Sequence, residues 1–293
     1  METIQNVVTA LSVGSLYALI ALGLGFVASI MNLINFAHGE LIMVAAYSIA
    51  FVVDWSPAVL ITAPLAVGVV LALATERVAF RPIRNADATT LFITSFALSF
   101  LLQAIARVVF GSIPKTTPAF SGLSDAITVG GIAVAKLDIV TLGVTVVLLV
   151  GLSAFLNKTR YGIQMRAASE DFTTARTLGV HGNRVIAIGF AFSGMLAGVA
   201  AILIVAQSGV ASPTMGSSLV LVAFIATVLG GMGSLRGAVL GGYVLGLITV
   251  ALQAYLPLEL RYYRDAIVFA AIIFLLVLRP QGLLPSKAVM TRV

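Results

Sequence analysis

The sequence predicts an all-α polytopic membrane protein, a single transmembrane domain over residues 1–293 with about eight to nine spanning helices. Three observations carry this expectation. Hydrophobic residues make up 60% of the chain and charged residues only 10%. Mean hydropathy is +1.12, far above that of soluble domains. The apolar residues also run on without the alternation of a β-barrel strand, and are rich in Leu, Ala, Val and Gly, which favours helices. Cysteine is absent, so neither disulfides nor thiolate metal sites enter the chemistry.

A helix needs about 20 residues to cross about 30 Å of hydrocarbon. Taken in order, the candidate runs lie near 7–31, 36–53, 57–80, 89–109, 139–157, 184–206, 218–231, 237–256 and 264–279. The first has no basic leader and no clear small-residue cleavage pattern, so it reads as a retained span. The seventh is short and ends in glycine; a re-entrant hairpin is its alternative. Residues 110–138 are rich in Pro, Gly, Ser and Thr and contain the stretch AITVGGIAV. They are expected to form an outer loop or small hairpin.

Basic residues set the expected orientation. With nine crossings and a cytoplasmic C-terminus, 12 of the 17 Lys and Arg fall inside and five outside, the bias that cytoplasmic loops show. A re-entrant seventh run lowers the split to 10 against seven. The net charge of +6 then reflects topology and contact with anionic lipid headgroups, and nothing resembles a nucleic-acid footprint. The sequon Asn157-Lys158-Thr159 falls on the inner side of this map and is discarded.

The longest basic segment on the inner side is 157–184. Within it Ser169 suits a helix N-cap, Glu170 and Asp171 its positive end, Arg176 its negative end and Gly179 its stop. A helix of about two and a half turns is marginal alone and needs a surface to pack on. One reading lays it on the membrane interface. The other seats it in a groove of a cytoplasmic protein, with Phe172, Ala175 and Leu178 as anchors. The carboxylates of Glu170 and Asp171 would be repelled by anionic lipid, and pair more readily with basic residues of a protein.

Within the spans, INFAHGELIMVAAY (34–47) stands out for its polar residues. Asn32, Asn35 and His38 recur every three residues, whereas Glu40 is about 200° around a helix from His38. A regular helix cannot bring them to one small site. The segment is therefore expected to be a helix break, with Asn35 or Asn32 capping the next span and Gly39 permitting close backbone approach. Two roles stay open for these residues: capping and hydrogen bonding between helices, or lining a permeation route and gating it. The small residues Ser95, Ser99, Ser193 and Gly194 are further candidates for such a route.

GGMGSLRGAVLGGYVLG invites a nucleotide-binding reading, but it lacks Walker spacing and does not fit G-x-G-x-x-G. It does contain the pairs Gly237/Gly241 and Gly242/Gly246, and Gly194/Gly198 repeats the spacing upstream. Small residues four apart allow helix backbones to approach. By this reading the chain itself binds no ATP and no metal, and His181 is an ordinary loop residue.

Three segments together resemble the LivH-type permeases of branched-chain amino-acid ABC transporters. They are GFVASIMNLINFAHGELIMVAAY, TRYGIQMRAASEDFTTARTLGVHGNRVIAIGFAFSGMLAG and VLGGMGSLRGAVLGGYVLG. The resemblance runs from about residue 4 to Pro285. It implies an importer in the cell inner membrane with a second related permease subunit, homo- or heterodimeric. Two cytoplasmic ATPases that bind ATP and Mg complete the machine, and a periplasmic binding protein delivers an amino acid. By that likeness 160–184 is the coupling loop, with Gly162, Arg166, Ala167, Asp171, Ala175, Leu178 and Gly179 matching the family pattern, and the sequence departs from it around Thr173 and Thr174. The family also covers carriers of other amino acids and of urea or short amides.

Two other classes compete. An ion-coupled secondary transporter needs an intramembrane acid, and Glu40 is the only one well inside a span, since Asp54 and Asp265 lie at span ends. An intramembrane serine hydrolase needs a base beside its nucleophile. Ser193 and His38 lie on distant segments with no triad spacing.

Overall fold

The computed structural model describes residues 2–31, 33–123, 125–129 and 132–284. Eleven α-helices occur among them: α1 (Glu2–Met31), α2 (His38–Phe51), α3 (Pro57–Thr75), α4 (Ala88–Phe110), α5 (Lys136–Lys158), α6 (Arg160–Glu170), α7 (Phe172–Thr177), α8 (Gly182–Ser208), α9 (Met215–Gly230), α10 (Leu235–Tyr255) and α11 (Arg264–Leu278). A π-helical turn, Glu76–Phe80, extends α3. The helix ends follow local chemistry. Pro57 occupies the first turn of α3, where its missing N–H costs nothing. Asp87 caps α4 by accepting from Thr90 N at 3.1 Å, and Ser234 caps α10 by accepting from Gly237 N at 3.0 Å.

Each apolar run of the sequence coincides with a helix, but six helices among the described residues are long and apolar enough to cross a membrane alone. They are α1, α3 with its π turn, α4, α5, α8 and α10. Helices α2, α9 and α11 have 14, 16 and 15 residues. At 1.5 Å per residue they reach only about 21–24 Å, so helix length alone supports six of the eight to nine expected spans.

Helix α1 is the central post, packed against α5, α8, α9 and α10. Consecutive residues Ala18, Leu19, Ile20 and Ala21 are all buried, so this helix is enclosed all round over its later turns, whereas Ile4, Val7 and Leu11 near its start are exposed. Helices α4 and α5 are peripheral and present apolar side chains outward, with Val108 86% and Val147 69% exposed. In hydrocarbon such a face is already solvated, so apolarity alone does not mark the core side.

Close backbone crossings hold the bundle together. A Cβ at Gly242 or Gly246 of α10 would strike the α1 backbone at Ala18 and Gly14, and one at Gly194 or Gly198 of α8 would strike α3 at Gly68 and Pro64. Gly237 and Gly241 likewise meet Gly230 and Ala226 of α9. All three glycine pairs therefore sit at helix crossings. At one end of the bundle, β1 (Lys115–Thr116) pairs with β4 (Val210–Ala211), and β2 (Ala126–Val129) forms a hairpin with β3 (Ile132–Ala135). At the other end lie α6 and α7.

Candidate functional site: the break between α1 and α2

Helix α1 ends at Met31 and α2 begins at His38, leaving a non-helical segment in which Leu33, Asn35, Phe36 and Ala37 are buried. The His38 ring packs on Gly23, where a Cβ would come 2.6 Å from its Cε1. Gly23 lies eight residues before α1 ends, about 12 Å along the helix. The chain thus doubles back into the bundle before α2 starts. Irregular backbone at that depth is tolerated only where protein encloses it.

Local bonds and aromatic packing build the break. Asn35 Oδ1 accepts from Ala37 N at 3.1 Å, and Asn35 O accepts from His38 N at 3.0 Å. Asn35 therefore turns the chain into α2, although the residue at the cap position, Ala37, has no side-chain bond of its own. Asn32 lies outside the described residues. Phe36 stacks on Phe96 at 4.1 Å and meets Phe92 edge-on at 5.4 Å and Phe224 at 5.5 Å, which fixes the turn against α4 and α9.

His38 and Glu40 point to opposite sides, as their angular separation requires. His38 Nδ1 lies 3.0 Å from Ser193 Oγ on α8, while Glu40 Oε1 accepts from Ser99 Oγ on α4 at 3.0 Å. Between them Gly39 crosses Gly216 of α9 backbone to backbone: a Cβ at Gly39 would land on the Gly216 carbonyl. Ser95 Oγ donates to Phe92 O at 2.7 Å and Ile34 O at 3.3 Å, tying α4 to the break. Four of the candidate path residues thus form two interhelical pairs, His38–Ser193 and Glu40–Ser99.

The Ser193–His38 contact reverses the separation expected from sequence distance. It does not make a hydrolase. Both residues are fully buried, and no acceptor orients Nε2, which lacks a partner among the described residues. Activation of a serine needs an oriented base and access for substrate.

The sequence reading missed two residues. Arg107 donates to Gln103 Oε1 at 2.8 Å, and Gln103 Nε2 donates to Ser217 Oγ on α9 at 2.7 Å. With Ser95 and Ser99 they form a polar stripe along α4 at intervals of four. That spacing was visible as one helix face.

The α6–α7 segment departs from the single helix expected. Thr159 caps α6 by accepting from Gly162 N at 3.0 Å, and the helix runs to Glu170. Ser169 is not a cap: its hydroxyl donates to Arg166 O at 2.8 Å. Asp171 is the cap instead, extended at φ −150° and ψ 102°, accepting from Thr173 N at 2.9 Å and Thr174 N at 3.0 Å. A carboxylate at a helix start draws on both the free N–H groups and the dipole, more than a serine hydroxyl offers. The bonds from Thr174 and Thr173 hold the Asp171 carboxyl below the usual carboxylate range. Gly179 ends α7 at φ +91°.

The structure also divides the residues assigned to coupling, the seven that match the family pattern and Glu170 beside them. Arg166, Ala167, Glu170, Asp171, Leu178 and Gly179 are exposed. Gly162 and Ala175 are buried, and a Cβ at Gly162 would strike Phe155 and Leu156 of α5, so these two hold the segment to its own chain. The anchor trio is likewise split: Ala175 is 4% and Leu178 80% exposed, and Phe172 packs beside Gly182. Arg166 borders a cleft of about 510 Å³ between α1, α5, α6 and α10.

The structure is a bundle of apolar helices, six of them long enough to cross a membrane, with a buried break and an exposed two-helix elbow at one end, the build of an integral membrane protein. The comparisons give its family. A model described as "Branched-chain amino acid transport system / permease component" matches residues 6–277, and the chain belongs to that family. It is 34% identical to the high-affinity branched-chain amino acid transport system permease protein BraD of Pseudomonas aeruginosa, over 96% of this chain and 95% of the relative. It is 33% identical to LivH of Escherichia coli K12 over the same shares, and 28% identical to a probable LivH of Methanocaldococcus jannaschii over 94% and 90%.

Proposed function

We propose that this chain is the membrane-spanning subunit of an ATP-driven importer for branched-chain amino acids: leucine, isoleucine or valine. The observation that carries the reading is the family match over residues 6–277, together with relatives of that name aligned over 96% of the chain. In this reading the protein lies in the cell inner membrane with its C-terminus in the cytoplasm. The shorter helices α2, α9 and α11 complete eight to nine crossings together with the irregular segments that extend them. A second related permease, two ATPases that bind ATP and Mg, and a periplasmic binding protein complete the complex.

Residues 160–184 carry the coupling. Leu178 supports this role, because an 80% exposed leucine beside a polar elbow is costly in water and suits a protein groove. Helix α6 packs on α1, α5 and α8. Closure of the ATPases against α6–α7 would therefore be passed to α1 and α8, the two helices that clamp His38 at the break. A small displacement there acts on tightly packed contacts that rearrange discretely rather than stretch.

The test is to solubilise the native membrane gently, purify the chain with what accompanies it, and reconstitute the complex in proteoliposomes. Two ATPases and a second permease, with ATP-dependent uptake of labelled leucine that excess urea or acetamide does not compete, are expected. Recovery of the chain alone, or of copies of itself, across several detergents would overturn the reading. In the reconstituted complex Glu40→Gln keeps the acceptor for Ser99 and the side-chain shape, so uptake stays within about twofold, since the buried hydrogen bond is retained. Abolished uptake with intact assembly would instead favour an ion-coupled carrier.

A further inference from the structure

Behind α7 lies a second cleft, of about 580 Å³, lined by Arg81, Arg84, Arg176, Arg184, His181 and Asn183 among others. Four arginines line this space, and among the described residues the one carboxylate paired with them is Glu76, 2.5 Å from Arg84. Four positive charges against one negative leave +3 with His181 neutral. Exposed arginines alone are usually a solvated face, but three features distinguish this cluster.

First, Arg84 sits at the floor, its side chain only 15% exposed. Its terminal nitrogens bond Glu76 and Asn183, which fixes its positive charge beneath the cleft. Second, the 27-residue α8 starts at this cleft, and its N-cap, His181, makes no side-chain cap bond. The N-terminus of a long helix presents free N–H groups and positive potential to an anion. Third, burial, and then the charges of Arg81 and Arg176, depress the Arg84 pKa against the opposing pull of Glu76. The cluster repels itself, and a bound anion would relieve that repulsion.

We propose that this cleft binds a phosphate-bearing anion with more than one negative charge, seated between the guanidiniums of Arg81, Arg176 and Arg184 and the start of α8, beside the fixed charge of Arg84. Arginine forks match phosphate oxygens in pairs, and the partly buried setting strengthens each bond. The group belongs either to a soluble phosphorylated compound or to the headgroup of a membrane lipid; both present the same chemistry. The site is separate from the break at His38 and does not depend on the transported substrate.

The full chain in nanodiscs of zwitterionic lipid is titrated with inorganic pyrophosphate by calorimetry, and native mass spectrometry follows retention of added phosphatidic acid. Each of Arg81→Gln and Arg184→Gln, both exposed positions that leave the Arg84–Glu76 pair in place, is expected to weaken binding about tenfold, as removal of one charge-assisted hydrogen bond does. Arg261→Gln, outside the cleft, should leave it unchanged. Phosphatidic acid retained by the native chain, lost from both variants and displaced by pyrophosphate would identify a lipid headgroup as the source; pyrophosphate binding without lipid retention would identify a soluble anion. Absence of binding for both probes, or equal weakening by Arg261→Gln, overturns the proposal.

Discussion

Replacing Gly39 with valine is expected to remove most of the folded protein, while the same replacement at Gly143 leaves it intact. At Gly39 a Cβ falls on the carbonyl of Gly216 and within 3.0 Å of Val220 Cβ. Overpacking typically costs about 1–3 kcal/mol. Here the obstruction is backbone, which has no rotamer to yield, so about 3 kcal/mol or more is expected, a large part of the whole stability of a domain. Separating α2 from α9 would also pull Glu40 from Ser99 and His38 from Ser193, since both pairs depend on where α2 starts. Gly143 is an exposed residue of α5 with nothing within 4 Å of a built Cβ. Valine there should change stability by no more than about 0.5 kcal/mol. The amount of monodisperse protein recovered from membranes measures both; equal recovery would refute the crossing.

Gly179→Pro and Arg166→Glu are expected to leave the protein in the membrane, lower leucine uptake more than tenfold and spare ATP hydrolysis by the reconstituted complex. Gly179 holds φ +91°, whereas proline is fixed near −65° and lacks the N–H that now reaches Arg176 O at 3.1 Å. The misfit is of the order of 3 kcal/mol. Helix α7 has six residues, too few to be stable without its cap and stop, so the strain is released by loss of the elbow. Because a Cβ at Gly179 meets nothing within 4 Å, the bundle is unaffected. Arg166→Glu reverses an exposed charge on the same segment and tests the surface rather than the backbone. Coupled uptake at the native rate in both variants would sink the assignment of 160–184 to coupling.

Much of the candidate site was legible from residue chemistry. A polar cluster inside apolar sequence announced a break, the angular offset of His38 and Glu40 announced that they diverge, and glycines four apart announced crossings. What misled was local competition. Ser169 and Asp171 both suit a cap, and only the break at Asp171 shows which one the backbone uses. In the polar stripe of α4, Ser95 and Ser99 stand out as small residues in an apolar run, whereas Gln103 and Arg107, one and two turns further along, lie near the span end, where polar side chains are ordinary.

Class, family and the apolar helices were decided by the sequence alone, because the length and apolarity of a run are properties of consecutive residues; the polar α6–α7 segment was not. Which helix is central, which short helices meet, and that Ser193 lies beside His38 were decided only by the tertiary structure. The reason is physical. In hydrocarbon the lipid-facing and core-facing sides of a helix are equally apolar, so apolarity alone does not separate α1, enclosed all round over its later turns, from α5, open on one side. Contacts between residues 155 positions apart follow from backbone crossings that only the assembled bundle specifies.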